Sequence, residues 1–204
     1  MGKGMLKNLA AKLPNAKFYV WNRSLDPVNE VISQYAAGKI TSCESPRAVV
    51  EECDVTFCML STMEASQAVF DDAKDGVIVG VSKGKLIVDC ATLTPERMLD
   101  EAKRISAKGG LFVEAPVSGS KGPAEQGTLI FLCGGGIPPA RSSLSSITKE
   151  GQHGADESQF NRIKVALDAM GKASFFFGPV GQGTSSLSLS LSLSLSLSLS
   201  LQLL

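Results

Sequence analysis

Residues 86–114, LIVDCATLTPERMLDEAKRISAKGGLFVE, decide the fold class. Leu86–Asp89 and Leu111–Glu114 are short, continuous apolar runs, which predicts strands that are buried on both faces. Between them, Pro95–Ala107 has a helical pattern, and Pro95 suits the first position of a helix behind Thr92 or Thr94 as the N-cap. Two buried strands joined by a helix predict a parallel strand–helix–strand unit.

The same alternation extends along most of the chain. Further strands are predicted at Phe18–Trp21, Val55–Leu60, Thr128–Leu132 and Ser174–Phe177. Further helices are predicted at Met5–Leu13, Pro27–Tyr35, Pro46–Glu52 (behind Ser45 as N-cap) and Ser158–Met170. Apolar strands separated by helices predict an α/β fold with a doubly wound, mostly parallel sheet that helices cover on both faces.

Two segments interrupt this pattern. Gly136–Gly154 is rich in Pro, Ser and Gly and has no period, which predicts a disordered insertion. From Ser186 to Leu201 the dipeptide Ser-Leu repeats eight times. Strict alternation is compatible with a half-buried strand, but the run is longer than a typical strand. A TC dinucleotide repeat in DNA translates as alternating Ser and Leu, so we interpret residues 184–204 as a low-complexity tail without function.

The composition argues against several classes of function. Lys and Arg together number 20, as do Asp and Glu, so no net positive field favours nucleic acid or a membrane surface. The five cysteines form no CxxC pair, and His153 is the only histidine, so we expect neither a disulfide framework nor a metal site. Such cysteines suit a reducing compartment. We therefore expect a cytoplasmic location, or an organelle if a targeting segment has been lost.

The N-terminal residues suggest a nucleotide site. Gly2 opens directly into a helix, and about twenty residues later a strand ends in Asn22-Arg23-Ser24, the spacing of a dinucleotide-binding unit. In such units an acidic residue at the tip of the second strand binds the ribose 2′-hydroxyl of NAD. Arg23 instead offers a planar, charged fork that suits the 2′-phosphate of NADP, although an arginine after a strand is more often a solvated turn residue.

Five segments, taken in order, resemble motifs of the β-hydroxyacid dehydrogenase family, which has a 6-phosphogluconate dehydrogenase-like NADP-binding domain. They are Gly2-Lys3-Gly4-Met5, Trp21-Asn22-Arg23-Ser24, Met59-Leu60-Ser61, Val88-Asp89-Cys90-Ala91-Thr92 and Glu114-Ala115-Pro116-Val117-Ser118-Gly119-Ser120. Residues 117–121 and Pro123-Ala124-Glu125 are most similar to the glyoxylate/succinic semialdehyde reductases of this family. The resemblance implies a Rossmann-like domain over residues 1–183 and NADPH-dependent reduction of small aldehyde acids to hydroxyacids. It also implies that intact relatives are homo-oligomers.

The resemblance assigns roles to individual residues. Those expected to bind the cofactor are Met1, Gly2, Asn22, Arg23, Ser24, Leu60, Ser61 and Thr92, and those expected to bind the substrate are Ser118, Gly119 and Lys121. Each has a structural alternative. Leu60-Ser61 and Ser118-Gly119 could be ordinary turns, Thr92 could cap the following helix, and Lys121 could be a solvated surface lysine.

The chain departs from the family pattern at both ends. The first strand and the first two glycines of the glycine-rich turn would precede Met1. After Gly178–Gly183 the family has Ala-Lys-x-x-Lys, whose helix carries the catalytic lysine, followed by an all-α domain. Here Thr184-Ser185-Ser186-Leu187 follows, and no lysine comes after Lys172. We therefore expect an incomplete sheet and no catalytic residue in this chain. The alternatives are a non-catalytic nucleotide-binding or interaction module and a gene-model fragment without function.

Overall fold

The structure is a computed structural model, and it describes residues 1–137 and 156–188. Nearly all of the predicted insertion at 136–154 and most of the predicted tail at 184–204 lie outside the described residues. The first residues of that predicted tail belong to a helical segment at 182–188.

Helices and strands alternate along the chain as the sequence predicts. The helices are α1 (Gly2–Lys12), α2 (Asp26–Ile32), α3 (Pro46–Glu52), α4 (Met63–Phe70), α5 (Val77–Gly80), α6 (Pro95–Ala107), α7 (Lys121–Gln126) and α8 (Glu157–Met170). The strands are β1 (Phe18–Val20), β2 (Ile40–Ser42), β3 (Val55–Cys58), β4 (Leu86–Asp89), β5 (Leu111–Glu114), β6 (Val117–Ser118), β7 (Leu129–Gly135) and β8 (Gly171–Phe176).

The strands form a mostly parallel sheet, which confirms the predicted fold class. β3, β4 and β5 are parallel neighbours, and β7 then pairs antiparallel with both β5 and β6. β8 lies parallel to β7. β1 and β2 form a separate parallel pair.

The sheet is divided between β1 and β3. Within the described residues, β1 pairs only with β2, and β3 pairs only with β4. Phe18 of β1 and Val55 and Phe57 of β3 are only partly buried, although all three pack against the same apolar cluster. In a doubly wound sheet of this type a further strand lies between these two, and none of the described residues occupies that position.

The apolar core lies on both faces of the sheet. Leu86 and Val88 of β4 face a cluster that includes residues of α1 and α8, whereas Ile87 faces a cluster that includes residues of α3 and α6. All four residues of β4 are buried. The continuous apolar run at 86–89 therefore reflects a central strand with helices on either side.

Local capping signals set the beginnings of α3 and α6. The Ser45 hydroxyl accepts a hydrogen bond from the Ala48 amide at 3.1 Å, and the Thr94 hydroxyl accepts one from the Arg97 amide at 3.3 Å. Proline occupies the first turn of both helices. Both helices have the predicted bounds, because the cap and the proline act within one turn of the helix start.

Other elements differ from the prediction. β2, α4, α5, β6 and α7 were not predicted. α2 ends at Ile32 rather than at Tyr35, because the amides of Gln34 and Tyr35 each bond to the carbonyl three residues earlier and so leave the α-helical pattern. Strand ends also shift, and β7 extends to Gly135 instead of ending at Leu132.

The five cysteines are all free thiols. In the two described stretches, no helix is long and apolar enough to cross a membrane. The same stretches contain no group of three or more His, Cys, Asp and Glu side chains that could hold a metal ion.

Candidate functional site

The ends of three parallel strands bring predicted site residues to one edge of the sheet. In the register of the sheet, Cys58 lies opposite Asp89, and Asp89 lies opposite Glu114. Since the chain continues from these three positions, Ser61 and Thr92 lie just beyond the carboxyl edge of the sheet. Ser118 ends β6, the short strand that follows Glu114. Ligands of open α/β sheets bind at this edge.

The beginning of α1 lies at the same edge. The Met1 carbonyl accepts the amides of Gly4 and Met5 at 2.9 and 3.1 Å, which makes Met1 the N-cap residue. The first amides of a helix have no partner within it, and they favour an anion. A Cβ atom placed on Gly2 would lie 3.7 Å from the Cβ of Met59, so this helix start stands directly beside the end of β3.

The tip that follows β1 lies next to the helix start. The Lys3 ammonium pairs with the Glu30 carboxylate at 2.5 Å, and Glu30 belongs to the helix that follows the tip. The Asn22 side-chain amide donates to the Ser24 carbonyl at 2.9 Å and closes the turn. Arg23 is exposed, and among the described residues it has no ion-pair partner within 4.0 Å. Its guanidinium is therefore open to an anionic ligand.

The structure separates the roles of the two threonines before α6. Thr94 is the N-cap, since its hydroxyl accepts the Arg97 amide. Thr92 lies exposed in the preceding turn. The cap interpretation of Thr92 is therefore wrong, and its hydroxyl is available for another contact.

The residues expected to bind the substrate, Ser118, Gly119 and Lys121, belong to the segment 114–121, which we call the substrate loop. This loop is held in a tight conformation. Ser118 ends β6, where it pairs with Ile130 of β7. Gly119 has a φ of 145°, and a Cβ there would lie 2.7 Å from a methyl group of Leu129, so only glycine suits this position. Lys121 is exposed at the start of α7, the helix that packs against α1.

Asn8 of α1 forms hydrogen bonds to α7, the helix that follows the substrate loop. This role was not predicted from the sequence. The Asn8 side-chain amide donates to the carbonyls of Gly4, Ala124 and Glu125 at 3.0, 2.9 and 3.2 Å. A Cβ on Gly4 would lie 2.8 Å from backbone atoms of Ala124, so α1 and α7 touch backbone to backbone. The available signal was an asparagine inside a helix, where this residue type is unfavourable unless its side chain has a specific partner.

The carboxylate of Glu114 anchors the segment that follows β8. One oxygen accepts the amides of Gly181 and Gly183 at 2.7 and 2.8 Å, and the other accepts the Thr184 hydroxyl at 2.7 Å. Burial raises the pKa of Glu114, while these donors act in the opposite direction. From the sequence, Glu114 was expected to end a strand and to begin the substrate loop. In the structure it also joins that loop to 178–184.

A depression of about 170 Å³ lies beside the tip after β1, and it was not predicted from the sequence. It is lined by Trp21, Glu44, Ser45, Pro46, Ala68, Asp72 and Asp75. These residues come from the end of β1, the start of α3 and the region around the end of α4. Only their assembly in the fold reveals the depression.

Comparison with known proteins identifies the family. The sequence profile described as the NAD binding domain of 6-phosphogluconate dehydrogenase matches residues 1–151. The chain is 39% identical to glyoxylate/succinic semialdehyde reductase 1 of Arabidopsis thaliana over 184 residues, which is 90% of this chain and 54% of the relative. It is 35% identical to the chloroplastic reductase 2 of the same plant, over 91% of this chain and 44% of that relative.

Solved structures show the same fold. The complex of Psf3 with NADP⁺ and 2-OPP has a TM-score of 0.76 at 19% identity, and covers 93% of this chain and 58% of Psf3. The 3-hydroxyisobutyrate dehydrogenase of Mycobacterium tuberculosis has a TM-score of 0.74 at 22% identity, over 93% of this chain and 55% of that protein.

The chain spans about half the length of the curated relatives that it matches. The family profile nevertheless covers most of the chain, and the folds of the solved dehydrogenases agree with it. The chain therefore belongs to the family of the NAD-binding domain of 6-phosphogluconate dehydrogenase.

Proposed function

We propose that residues 1–183 form the NADP-binding domain of a reductase that converts small aldehyde acids, such as glyoxylate and succinic semialdehyde, to hydroxyacids. The observation that carries the proposal is the convergence of the α1 start, the 22–24 tip and the ends of β3 and β4 at one edge of the sheet. Two relatives named as reductases of these substrates support the choice of substrate. The five free thiols suit the reducing cytoplasm as the location.

The residues present fit NADP at several points. Arg23 would bind the 2′-phosphate, with Asn22 and Ser24 shaping the turn around it. The depression beside Trp21 would receive the adenine. Met1 and Gly2 at the start of α1 would face the pyrophosphate.

The other end of the cofactor would lie along the strand ends. Leu60, Ser61 and Thr92 would flank the nicotinamide and its ribose. When bound, NADPH supplies the hydride for the reduction. The contribution of this part of the chain is to hold the nicotinamide at the carboxyl edge of the sheet.

The substrate loop would orient the aldehyde acid. The Ser118 hydroxyl and the amides around Gly119 would bind its carboxylate, and Lys121 would add positive charge on the α1 side. Fixing the carboxylate at this loop would turn the aldehyde carbon towards the nicotinamide.

We further propose that this chain binds NADPH without completing the reduction. Reduction of a carbonyl needs a proton donor near the developing alkoxide. Thr184-Ser185-Ser186-Leu187 occupies the place of the lysine-bearing segment of the family pattern. The same observation favours a second candidate function, a module that binds the nucleotide without turnover.

A fluorescence titration of the purified chain with NADPH and NADH tests the cofactor assignment. We expect tighter binding of NADPH, and a loss of this preference by about ten- to a hundredfold in Arg23→Ala, because a charge-assisted contact is removed. Arg162→Ala is the matched control, since Arg162 is exposed on α8 and bonds to the Gly84 and Asp54 carbonyls. Equal affinity for both cofactors would contradict the NADP assignment.

An assay with glyoxylate and succinic semialdehyde tests the expected lack of turnover. We expect NADPH to be oxidised no faster than in buffer. Reduction at an ordinary enzymatic rate would show that another group supplies the proton.

A further inference from the structure

Two carboxyl groups are buried together beneath the turn that carries Thr92. Asp89 ends β4 and Glu101 lies in the middle of α6, and neither side chain is exposed to solvent. One oxygen of Asp89 accepts the Ala91 amide at 3.0 Å. One oxygen of Glu101 accepts the Ser66 hydroxyl and pairs with the Arg97 guanidinium, both at 2.7 Å.

Each carboxyl group has one oxygen left over. Asp89 Oδ2 and Glu101 Oε2 are both buried, and neither has a donor among the described residues. The two groups lie within hydrogen-bonding reach of one another. Two ionised carboxylates cannot form that bond, because both are acceptors only. A single proton between the two oxygens gives both atoms a partner and removes the cost of leaving them unpaired.

The surroundings decide which group carries the proton. Burial, together with the charge of Glu101, raises the pKa of Asp89 well above its usual range. Burial also raises the pKa of Glu101, but the Ser66 hydroxyl and the Arg97 guanidinium act against this by favouring the charged form. The proton therefore belongs on Asp89 and the negative charge on Glu101.

Other titratable groups around the pair do not compete for this proton. Burial raises the thiol pKa values of Cys58 on β3 and Cys90 after β4 well above the usual range, so both thiols stay neutral. Arg97 of α6 is the cation that faces the pair. Behind Arg97, and in contact with it or with each other, lie Asp71, Asp100 and Arg104.

We propose that Asp89 and Glu101 share one proton, and that this pair positions the 89–94 turn, and with it Thr92, against the nicotinamide end of the cofactor. The role at the cofactor rests on the function proposed above. Asp89 holds the turn through the Ala91 amide, which directly precedes Thr92. Glu101 belongs to the helix that Thr94 caps at the other end of the turn. Both are positioning residues, since Thr92 is the residue that would touch the cofactor.

Urea unfolding without ligand, at a series of pH values from 5 to 9, tests the shared proton. Asp89→Asn keeps an acceptor for the Ala91 amide and places an amide donor towards Glu101, but it cannot titrate. The folded wild type holds a proton that the unfolded chain releases above the usual aspartate pKa of about 4. The unfolding equilibrium constant of the wild type should therefore increase with pH relative to that of Asp89→Asn. The increase should be up to about tenfold per pH unit, until the pH reaches the pKa of Asp89 in the folded protein.

Asp100→Asn is the matched control for this measurement. It removes one charge near Arg97 from the same helix without touching the pair, so its pH dependence should follow that of the wild type. Parallel curves for the wild type and Asp89→Asn would overturn the shared proton. If Asp89→Asn does not fold, the infrared band of a protonated carboxyl group in the wild type at pH 8 decides the question. Glu114 is another carboxyl group whose pKa is raised by burial, so the band should also be present in Glu114→Gln. Absence of the band from the wild type or from Glu114→Gln would overturn the proposal.

Hydrogen–deuterium exchange of residues 89–94, again without ligand, tests the positioning role. Asp89→Ala removes the acceptor of the Ala91 amide, so the turn should exchange faster than in the wild type, and Asp89→Asn should restore its protection. NADPH affinity should follow the same order, with a loss of about tenfold in Asp89→Ala and recovery in Asp89→Asn. Unchanged exchange in Asp89→Ala would overturn the positioning role. If the wild type binds no NADPH, the proposed function fails. The unfolding and exchange experiments need no ligand, so they still test the shared proton of Asp89 and Glu101 and its effect on the turn.

Discussion

The Glu114 carboxylate accepts a hydrogen bond of 2.7 Å from the hydroxyl of Thr184, a residue 70 positions later in the chain. Both side chains are buried. Two glycine amides of the same segment bind the other carboxylate oxygen. The start of the predicted substrate loop and the segment at 181–184 therefore form one buried polar cluster.

Replacing Glu114 with alanine should lower the free energy of unfolding by about 3 kcal/mol, because two buried amides and one hydroxyl lose their acceptor. Thr184→Val removes one of these bonds and should cost about 1 kcal/mol. Urea unfolding of both variants measures the difference. Equal losses would mean that the two glycine amides contribute nothing to the stability of the cluster.

A methyl group on Gly4 should separate α1 from α7. The new Cβ would lie 2.8 Å from backbone atoms of Ala124 and Glu125, which cannot rotate away as a side chain could. Alanine is the better helix former by about 1 kcal/mol, yet overpacking should outweigh this and leave a net loss of about 2 kcal/mol. Gly122→Ala in α7 is the control, since a Cβ there meets open space and should not destabilise the protein. Thermal unfolding that ranks the two variants in the opposite order would contradict this close packing.

The two threonines before α6 should respond differently to replacement by valine. Thr94→Val removes the N-cap and should lower the free energy of unfolding by about 1 kcal/mol, with little change in NADPH affinity. Thr92→Val should leave stability unchanged and weaken NADPH binding by about fivefold, the value of one hydrogen bond. Urea unfolding and fluorescence titration of each variant separate the two effects. A loss of stability in Thr92→Val would indicate that Thr92, and not Thr94, is the N-cap of α6.

Asp71 should make the free energy of unfolding depend on pH in the acid range. Burial raises the pKa of Asp71, but hydrogen bonds from Arg97 and Arg104 outweigh this, and the net effect lowers it. A carboxylate with a lowered pKa in the folded state stabilises the protein above its unfolded pKa of about 4, and this contribution is lost as the pH falls through the folded value. Asp71→Asn should therefore be less stable than the wild type by about 2 kcal/mol at pH 7 and equally stable in strong acid.

Asp168→Asn is the control for this pH series. Asp168 pairs with Lys164 on α8, but 54% of its side chain is exposed, and such pairs contribute little. Chemical unfolding at pH 7 and at pH 2.5 gives the comparison for both variants. A deficit in Asp71→Asn that persists undiminished in acid would argue against the ion pair as its cause.

Elements with local signals were predicted to the residue. β4, β5, α3 and α6 have the expected bounds, because an apolar run, a cap or a proline marks each of them within a few residues. α7 was missed because it is only six residues long and contains Gly122 and Pro123. It lies against α1, a contact that no local pattern reveals.

In the candidate site, too, the features with local sequence signals were predicted and the long-range contacts were not. Its predicted residues lie at strand ends and at a helix start, where motifs are contiguous in sequence. The contacts that hold these motifs together join distant parts of the chain, such as Asn8 with Ala124 over 116 residues. A single sequence has no signal that pairs such positions. The hydrogen bonds between α1 and α7 and the depression beside Trp21 are therefore visible only in the fold.

Among the described residues, one edge of β1 and one edge of β3 pair with no other strand. Strand edges without a neighbour recruit extended segments from other polypeptides, and β3 adds the half-buried side chains of Val55 and Phe57 to this attraction. Self-association through these edges should increase with protein concentration. The yield of soluble protein would then depend on dilution, or on a peptide that occupies the gap, as much as on the strength of the core.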